Sequence, residues 1–84
     1  MDRQELTLYI IYQFIKEDHK PLQRVIYPTE IIARHPSPWD EIMEDLHNLS
    51  EAGYIRIQPQ GKLFITITDS GFSSAESYQR VTAA

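Results

Sequence analysis

Leu46-His47-Asn48-Leu49-Ser50-Glu51-Ala52-Gly53-Tyr54-Ile55 changes its periodicity halfway through, and that change decides the fold. Before Gly53, the apolar residues Trp39, Ile42, Met43, Leu46 and Leu49 recur at helical spacing and form one stripe. After it, Ile55 and Ile57 alternate with Tyr54, Arg56 and Gln58, and Leu63, Ile65 and Ile67 alternate with Phe64, Thr66 and Thr68, the two-residue period of half-buried strands. Gly53 supplies the left-handed residue that ends a helix, and Pro59-Gln60-Gly61 supplies turn chemistry between the strands. The stretch therefore predicts a helix running into a β-hairpin. Ser37 is placed to cap that helix and Pro38 to take its first position. The opposite face, Asp40, Glu41, Glu44, Asp45, His47, Asn48 and Glu51, is expected in solvent and strongly negative.

Working upstream, Asp2 and Glu5 have capping-box spacing and predict a first helix reaching about Asp18. Its stripe of Leu6, Ile10 and Phe14 is joined by Leu8, Ile11, Tyr12 and Ile15 on the rest of the circumference. A helix so apolar needs two covers, the core and either a second subunit or a C-terminal helix. Arg24-Val25-Ile26-Tyr27 reads as an extended piece. A short helix, Thr29 to His35, follows Pro28 and is closed by Pro36 and Pro38, because the residue before a proline is pushed out of the helical region. Downstream, Ser73 and Glu76 repeat capping-box spacing and predict a terminal helix to about Val81. The expected interior is Leu6, Ile10, Phe14, Ile31, Ile32, Ile42, Leu46, Leu49, Ile55, Ile57, Ile65 and Ile67, with Trp39 beneath the hairpin alongside Leu46 and Leu49.

The 84 residues, 42% hydrophobic and 24% charged, fit one small α+β domain spanning 1–84 with a thin core. Cysteine is absent, which removes disulfides, thiolate metal sites and cysteine nucleophiles and points to a reducing compartment. The longest apolar run, Leu8 to Tyr12, is far short of the roughly 20 residues of a membrane span. Asp2 and Glu5 stand where a secretory leader would be basic. A cytoplasmic protein is expected.

Leu46 to Ile55 resembles the passage leucine-x-x-leucine-x-x-x-glycine, then an aromatic residue or leucine, then isoleucine, by which winged helix-turn-helix domains leave their third helix and enter the wing. Ile67-Thr68-Asp69-Ser70-Gly71-Phe72 resembles the threonine-x-x-glycine exit from the second wing strand in bacterial regulators of the multiple-antibiotic-resistance and phenolic-acid repressor types. The resemblance covers about residues 5–72. It implies a third helix laid in the DNA major groove, a wing against a minor groove, and commonly a dimer built from the terminal helices.

Charge departs from that pattern. The net charge is −4, and the third helix carries no Lys or Arg, whereas phosphate neutralisation supplies much of DNA affinity. A wing-led contact is the first expectation, with Lys20, Arg24, Arg34, Ser37, Arg56 and Lys62 as candidate nucleic-acid residues. The alternative is a protein-interaction module that uses the acidic face, through Asp40, Glu44 and Glu51. Tyr9, Tyr12 and Tyr78 are candidates for a homodimer interface, since tyrosine joins an apolar body to a polar tip. Catalysis, cofactors and metals are not expected. His19, His35 and His47 share no ligand spacing, Glu44 and His47 lack the further glutamates of a carboxylate-bridged site, and no Gly-rich phosphate loop is present.

Overall fold

A computed structural model describes the backbone of residues 2–60 and 62–83 and the side chains of 2–58 and 63–78. The Asp2 carboxylate accepts the Glu5 backbone N–H at 2.8 Å, satisfying one of the free amides at a helix start, and α1 runs Arg3–Ile15. It ends before Asp18, whose N–H turns back to the Ile15 carbonyl at 2.9 Å. A 3-10 turn, Pro21–Gln23, leads into the extended piece, where Ile26 and Ile65 exchange both backbone bonds at 2.8 Å. Next comes α2, Pro28–Arg34, shifted one residue toward the N-terminus from the expected bounds. Pro28 takes the first position, and the capping contact comes from Glu30 rather than Thr29, its carboxylate accepting the Tyr27 N–H at 2.8 Å.

Helix α3 is Trp39–Glu51, with Pro38 and not Ser37 at the cap position, so no side chain caps it. Strands β1 (Ile55–Gln60) and β2 (Lys62–Ile67) pair antiparallel, with Ile55 opposite Ile67 and Ile57 opposite Ile65. Pairing continues to Gln60 opposite Lys62, so Pro59 and Gln60 extend β1 instead of forming the turn, and Gly61 lies outside the described residues. Helix α4, Asp69–Ala83, begins a full turn earlier than Ser73.

The early start of α4 is explained by Thr68. Its hydroxyl donates to the Gly53 carbonyl at 2.6 Å and accepts the Gly71 N–H at 3.1 Å, while its own N–H reaches the Tyr54 carbonyl at 3.0 Å. The Tyr54 N–H in turn bonds the Leu49 carbonyl at 2.9 Å. Gly53 has φ 84°, the left-handed conformation that only glycine adopts without strain. Gly71 is needed for a different reason: a Cβ there would run into the Tyr54 carbonyl oxygen. The two passages that carried the family resemblance are thus the two halves of one joint.

Both faces of α1 are covered, one by α3 and the other by α4. Leu8, Ile11 and Ile15 are fully buried, together with Ile26, Ile31, Ile42, Leu46 and Ile65, and Ile55, Leu49 and Ile67 are nearly so. The expected stripe on α1 is therefore rotated: Ile10 is buried, but Leu6 and Phe14 are only half-buried. Ile57 is also half-buried. Ile32 and Trp39 are corrections, being 43% and 38% exposed. Trp39 opens the first turn of α3, and the apolar residues that this helix buries in the core are Ile42, Leu46 and Leu49. Of the two covers left open for α1, the structure supplies the helix: the Tyr12 and Phe72 rings meet edge-on at 5.2 Å, and Ala75 of α4 is fully buried. No helix among the described residues is long and apolar enough to cross a membrane.

Candidate nucleic-acid interface

Two surfaces flank the C-terminal half of α3, and they differ in charge. The stripe of α3 opposite its buried side presents Asp40, Glu44, His47 and Glu51, all exposed, with His47 Nε2 3.2 Å from the Glu51 carboxylate. The outer face of the hairpin presents Arg56 opposite Thr66 and Gln58 opposite Phe64. Arg56 is exposed and forms no ion pair among the described residues. It borders a cleft of about 510 Å³ with Ser50, Gly53, Ile55, Ile57, Gln58 and Thr68. On its other side it shares a smaller cleft, about 250 Å³, with Leu22, Thr66, Ile67, Thr68 and Asp69.

The remaining candidate cations gather elsewhere, around the end of α1. Arg24 donates to the Phe14 carbonyl at 3.4 Å and lies 3.5 Å from Glu30 and 3.9 Å from Asp18, so much of its charge is already answered. The Arg34 guanidinium sits 4.4 Å from the centre of the Phe14 ring, a cation–π placement. Lys20 is exposed, and its backbone N–H bonds the Asp18 carboxylate at 3.1 Å. The Lys62 side chain lies outside the described residues. Ser37 is half-buried in the α2–α3 turn, where its N–H donates to His35 Nδ1 at 3.1 Å.

One expected surface carboxylate is not on the surface. Asp45 is 1% exposed because it occupies the buried stripe between Ile42 and Leu49. Arg3 Nε contacts its two oxygens at 3.1 and 3.0 Å, and Arg3 Nη1 and Nη2 reach Glu41 at 2.9 Å and Glu44 at 3.2 Å. The hydrogen bond to Asp45 is the main reason that the Arg3 guanidinium is held above its usual value, though burial opposes it. One guanidinium thus holds three α3 carboxylates against the start of α1.

Behind Arg3 lies a buried polar chain that the sequence reading missed. Since His35 Nδ1 accepts from the Ser37 N–H, its proton belongs on Nε2, which meets Thr7 Oγ1 at 2.7 Å. The Thr7 hydroxyl can then donate to Asp45 Oδ2 at 2.9 Å, with the Arg3 carbonyl at 3.0 Å as a competing acceptor. Thr7 is fully buried and His35 is 8% exposed. Burial pushes the His35 imidazole below its ordinary value, Asp45 and Glu41 oppose the shift, and Arg3 adds to it. The order histidine–hydroxyl–carboxylate, with the hydroxyl in the middle and sealed from solvent, does not make a nucleophile. Among the described residues, no group of three His, Asp or Glu side chains could hold a metal ion.

The tyrosines are partly a correction. Tyr12, 6% exposed, belongs to the interior because α4 folds back over α1, which removes it from any surface. Tyr9 stacks on it at 6.1 Å. Tyr78 packs against the same core, and burial, followed by Glu5, raises its hydroxyl above the ordinary value.

No protein family matches this chain, and no curated protein matches it. Solved structures do. AF1382 from Archaeoglobus fulgidus matches with a TM-score of 0.76 at 18% identity, over 96% of this chain and 84% of that one. The MarR family transcriptional regulator SPO1453 from Silicibacter pomeroyi DSS-3 gives 0.71 at 12% identity over 99% of this chain, which spans 55% of the regulator. TubR from Bacillus thuringiensis serovar israelensis, solved bound to 24 bp of tubC, gives 0.65 at 17% identity over 95% of each chain. At such identities the likeness establishes the architecture: the chain is an α+β winged helix-turn-helix, of the kind seen in a MarR family regulator.

Proposed function

We propose that this winged-helix chain is a non-enzymatic module of the transcription-regulator kind that meets duplex DNA with its wing and not with α3. The observation that carries the reading is the separation of charge across the hairpin base. Arg56 stands exposed without an acidic partner among the described residues, while the outward stripe of α3 carries the exposed carboxylates of Asp40, Glu51 and Glu44, the last of them 3.2 Å from Arg3. Pressing that stripe into a groove sets like charges against phosphate, which opposes binding. Gln58 and Thr66 flank Arg56 on the same sheet face and offer neutral hydrogen-bonding groups to a backbone. The neighbouring TubR structure, solved on 24 bp, supports a duplex as the partner by analogy of fold. Arg24 and Arg34, engaged with Glu30, Asp18 and Phe14, contribute less to this contact, and Lys20 lies beside the 3-10 turn that packs on β2.

A mobility-shift titration against random duplex across a salt series tests the reading. Retention at low salt that weakens as salt rises, and that is lost in Arg56→Glu, is the expected outcome. Absence of retention at low salt would overturn it in favour of a basic protein partner on the Asp40, Glu44 and Glu51 face.

A further inference from the structure

The wing is wider than its two strands. Ile26 and Ile65 exchange both backbone bonds at 2.8 Å, so the extended piece before α2 lies along the free side of β2 as a short third segment. Antiparallel pairing around that bridge sets Tyr27 beside Phe64. Ile26 and Ile65 are fully buried, and successive side chains alternate between the faces of a sheet, so Tyr27 and Phe64 belong to the opposite, outward face. Across β2 the same face continues with Gln58 opposite Phe64 and, nearer the hairpin root, Arg56 opposite Thr66. Outward positions of a sheet covered on one side are ordinarily polar, yet two of these are aromatic. Tyr27 is 46% exposed. Phe64 is half-buried without being one of the residues packed on the core. Among the described residues, neither ring stacks on another ring or holds a cation. The wing also lacks carboxylates, Arg56 and Lys62 being its only charged residues between Ile55 and Thr68. Of the acids around it, Glu30 is engaged by the Tyr27 N–H at 2.8 Å and by Arg24 at 3.5 Å, and Asp69 lies at the hairpin root, on the smaller cleft beside Arg56.

We infer that this outward face is a stacking surface for the unpaired bases of a DNA strand. Phe64 and Tyr27 take base faces, and Arg56 and Gln58 meet the phosphates and base edges beside them. Stacking asks for an open aromatic surface and not for a pocket, and aromatic side chains on a sheet, flanked by positive charge, are the working parts of single-strand recognition. Two features together fix the occupant. Paired open rings call for a planar partner, and a face with cations and no carboxylate calls for a negatively charged one; a nucleic-acid strand is both. An intact duplex keeps its base faces against one another, so the rings gain nothing from it and only Arg56, Gln58 and Thr66 engage. The inference rests on the wing-led contact proposed above and adds which form of DNA the wing prefers.

Fluorescence anisotropy of the full chain is read at equal salt with three labelled dodecamers: a thymidylate strand, the same phosphate backbone without bases, and a duplex. The thymidylate strand should bind about ten-fold more tightly than the abasic one, with the ring protons of Phe64 and Tyr27 moving upfield in NMR spectra as bases stack on them. Phe64→Leu keeps the apolar bulk and removes the ring, so it should weaken the thymidylate strand by about ten-fold while duplex binding holds. Should that variant fail to fold by circular dichroism, Tyr27→Leu, at the more exposed ring, carries the same test. Equal binding of the thymidylate and abasic strands, or a folded ring variant that binds thymidylate as the parent does, would overturn the inference. Duplex retention with no preference for bases would sink only this inference, and a preference for bases with no duplex retention would sink only the duplex reading.

Discussion

Replacing Thr7 by valine keeps the shape of a fully buried side chain and deletes one oxygen. That oxygen accepts from His35 Nε2 at 2.7 Å and donates to Asp45 at 2.9 Å. The Asp45 carboxylate keeps Arg3 on both oxygens, so most of the cost falls on the imidazole, whose buried N–H is left without an acceptor. A buried donor stranded in this way costs about 1–3 kcal/mol, and about 2 kcal/mol is expected here. For a domain of this size that is a melting temperature roughly 8–16 °C lower. Urea unfolding followed by far-UV circular dichroism is the assay, with an unchanged denaturant slope as evidence that only stability has moved. Thr7→Ser, which keeps the hydroxyl, should recover much of the loss. In the double variant Thr7→Val with His35→Leu, where both partners are apolar, the costs should fall short of additive by about 1 kcal/mol. A Thr7→Val variant within about 0.5 kcal/mol of the parent would refute the buried bridge.

The same histidine makes stability depend on pH. Its folded value is lowered from the ordinary 6.5, so its contribution is fully present above that pH and is lost as pH falls through the folded value, where a proton on Nδ1 would face the Ser37 N–H. Stability measured from pH 7.5 downward should decline more steeply in the parent than in His35→Leu. The two glycines should separate cleanly in thermal melts: Gly53→Ala, with open space but positive φ, should cost about 1 kcal/mol. Gly71→Ala, blocked by backbone, should cost about 3 kcal/mol or more. Tyr12→Glu places a charge against Phe72 inside the core, so circular dichroism should show an unfolded chain where an interface substitution would leave a folded one.

What the sequence made legible was local chemistry: the Asp2 cap, the left-handed Gly53, the change of period at residue 54, and the Thr68 to Gly71 exit. Each depends on neighbours a few residues away. Asp45 was misread because a carboxylate within an apolar stripe looks like the edge of a polar face unless its counter-ion is known, and Arg3 is far upstream. His35 and Thr7 are brought to it only by the packing of α1 on α2 and α3. Trp39 and Ile32 erred in the opposite direction. Their apolar character put them inside, but on the first turn of α3 and the outer side of α2 they stay 38% and 43% exposed. As for the candidate site, the exposed Arg56 could be read from the alternation, but the way Arg24 is already occupied by Asp18 and Glu30 could not.

The joint at Thr68 also sets the terms on which this protein can vary. Because Gly53, Tyr54, Thr68 and Gly71 bind one another across the root of the hairpin, and Ile65 is tied to Ile26 further along, only the end of the wing beyond Ile57 and Ile65 projects as a cantilever. A longer or recharged wing tip can be spliced in without retuning the helices, whereas Gly53, Thr68 and Gly71 are hard to exchange, Tyr54 joining them through its backbone alone.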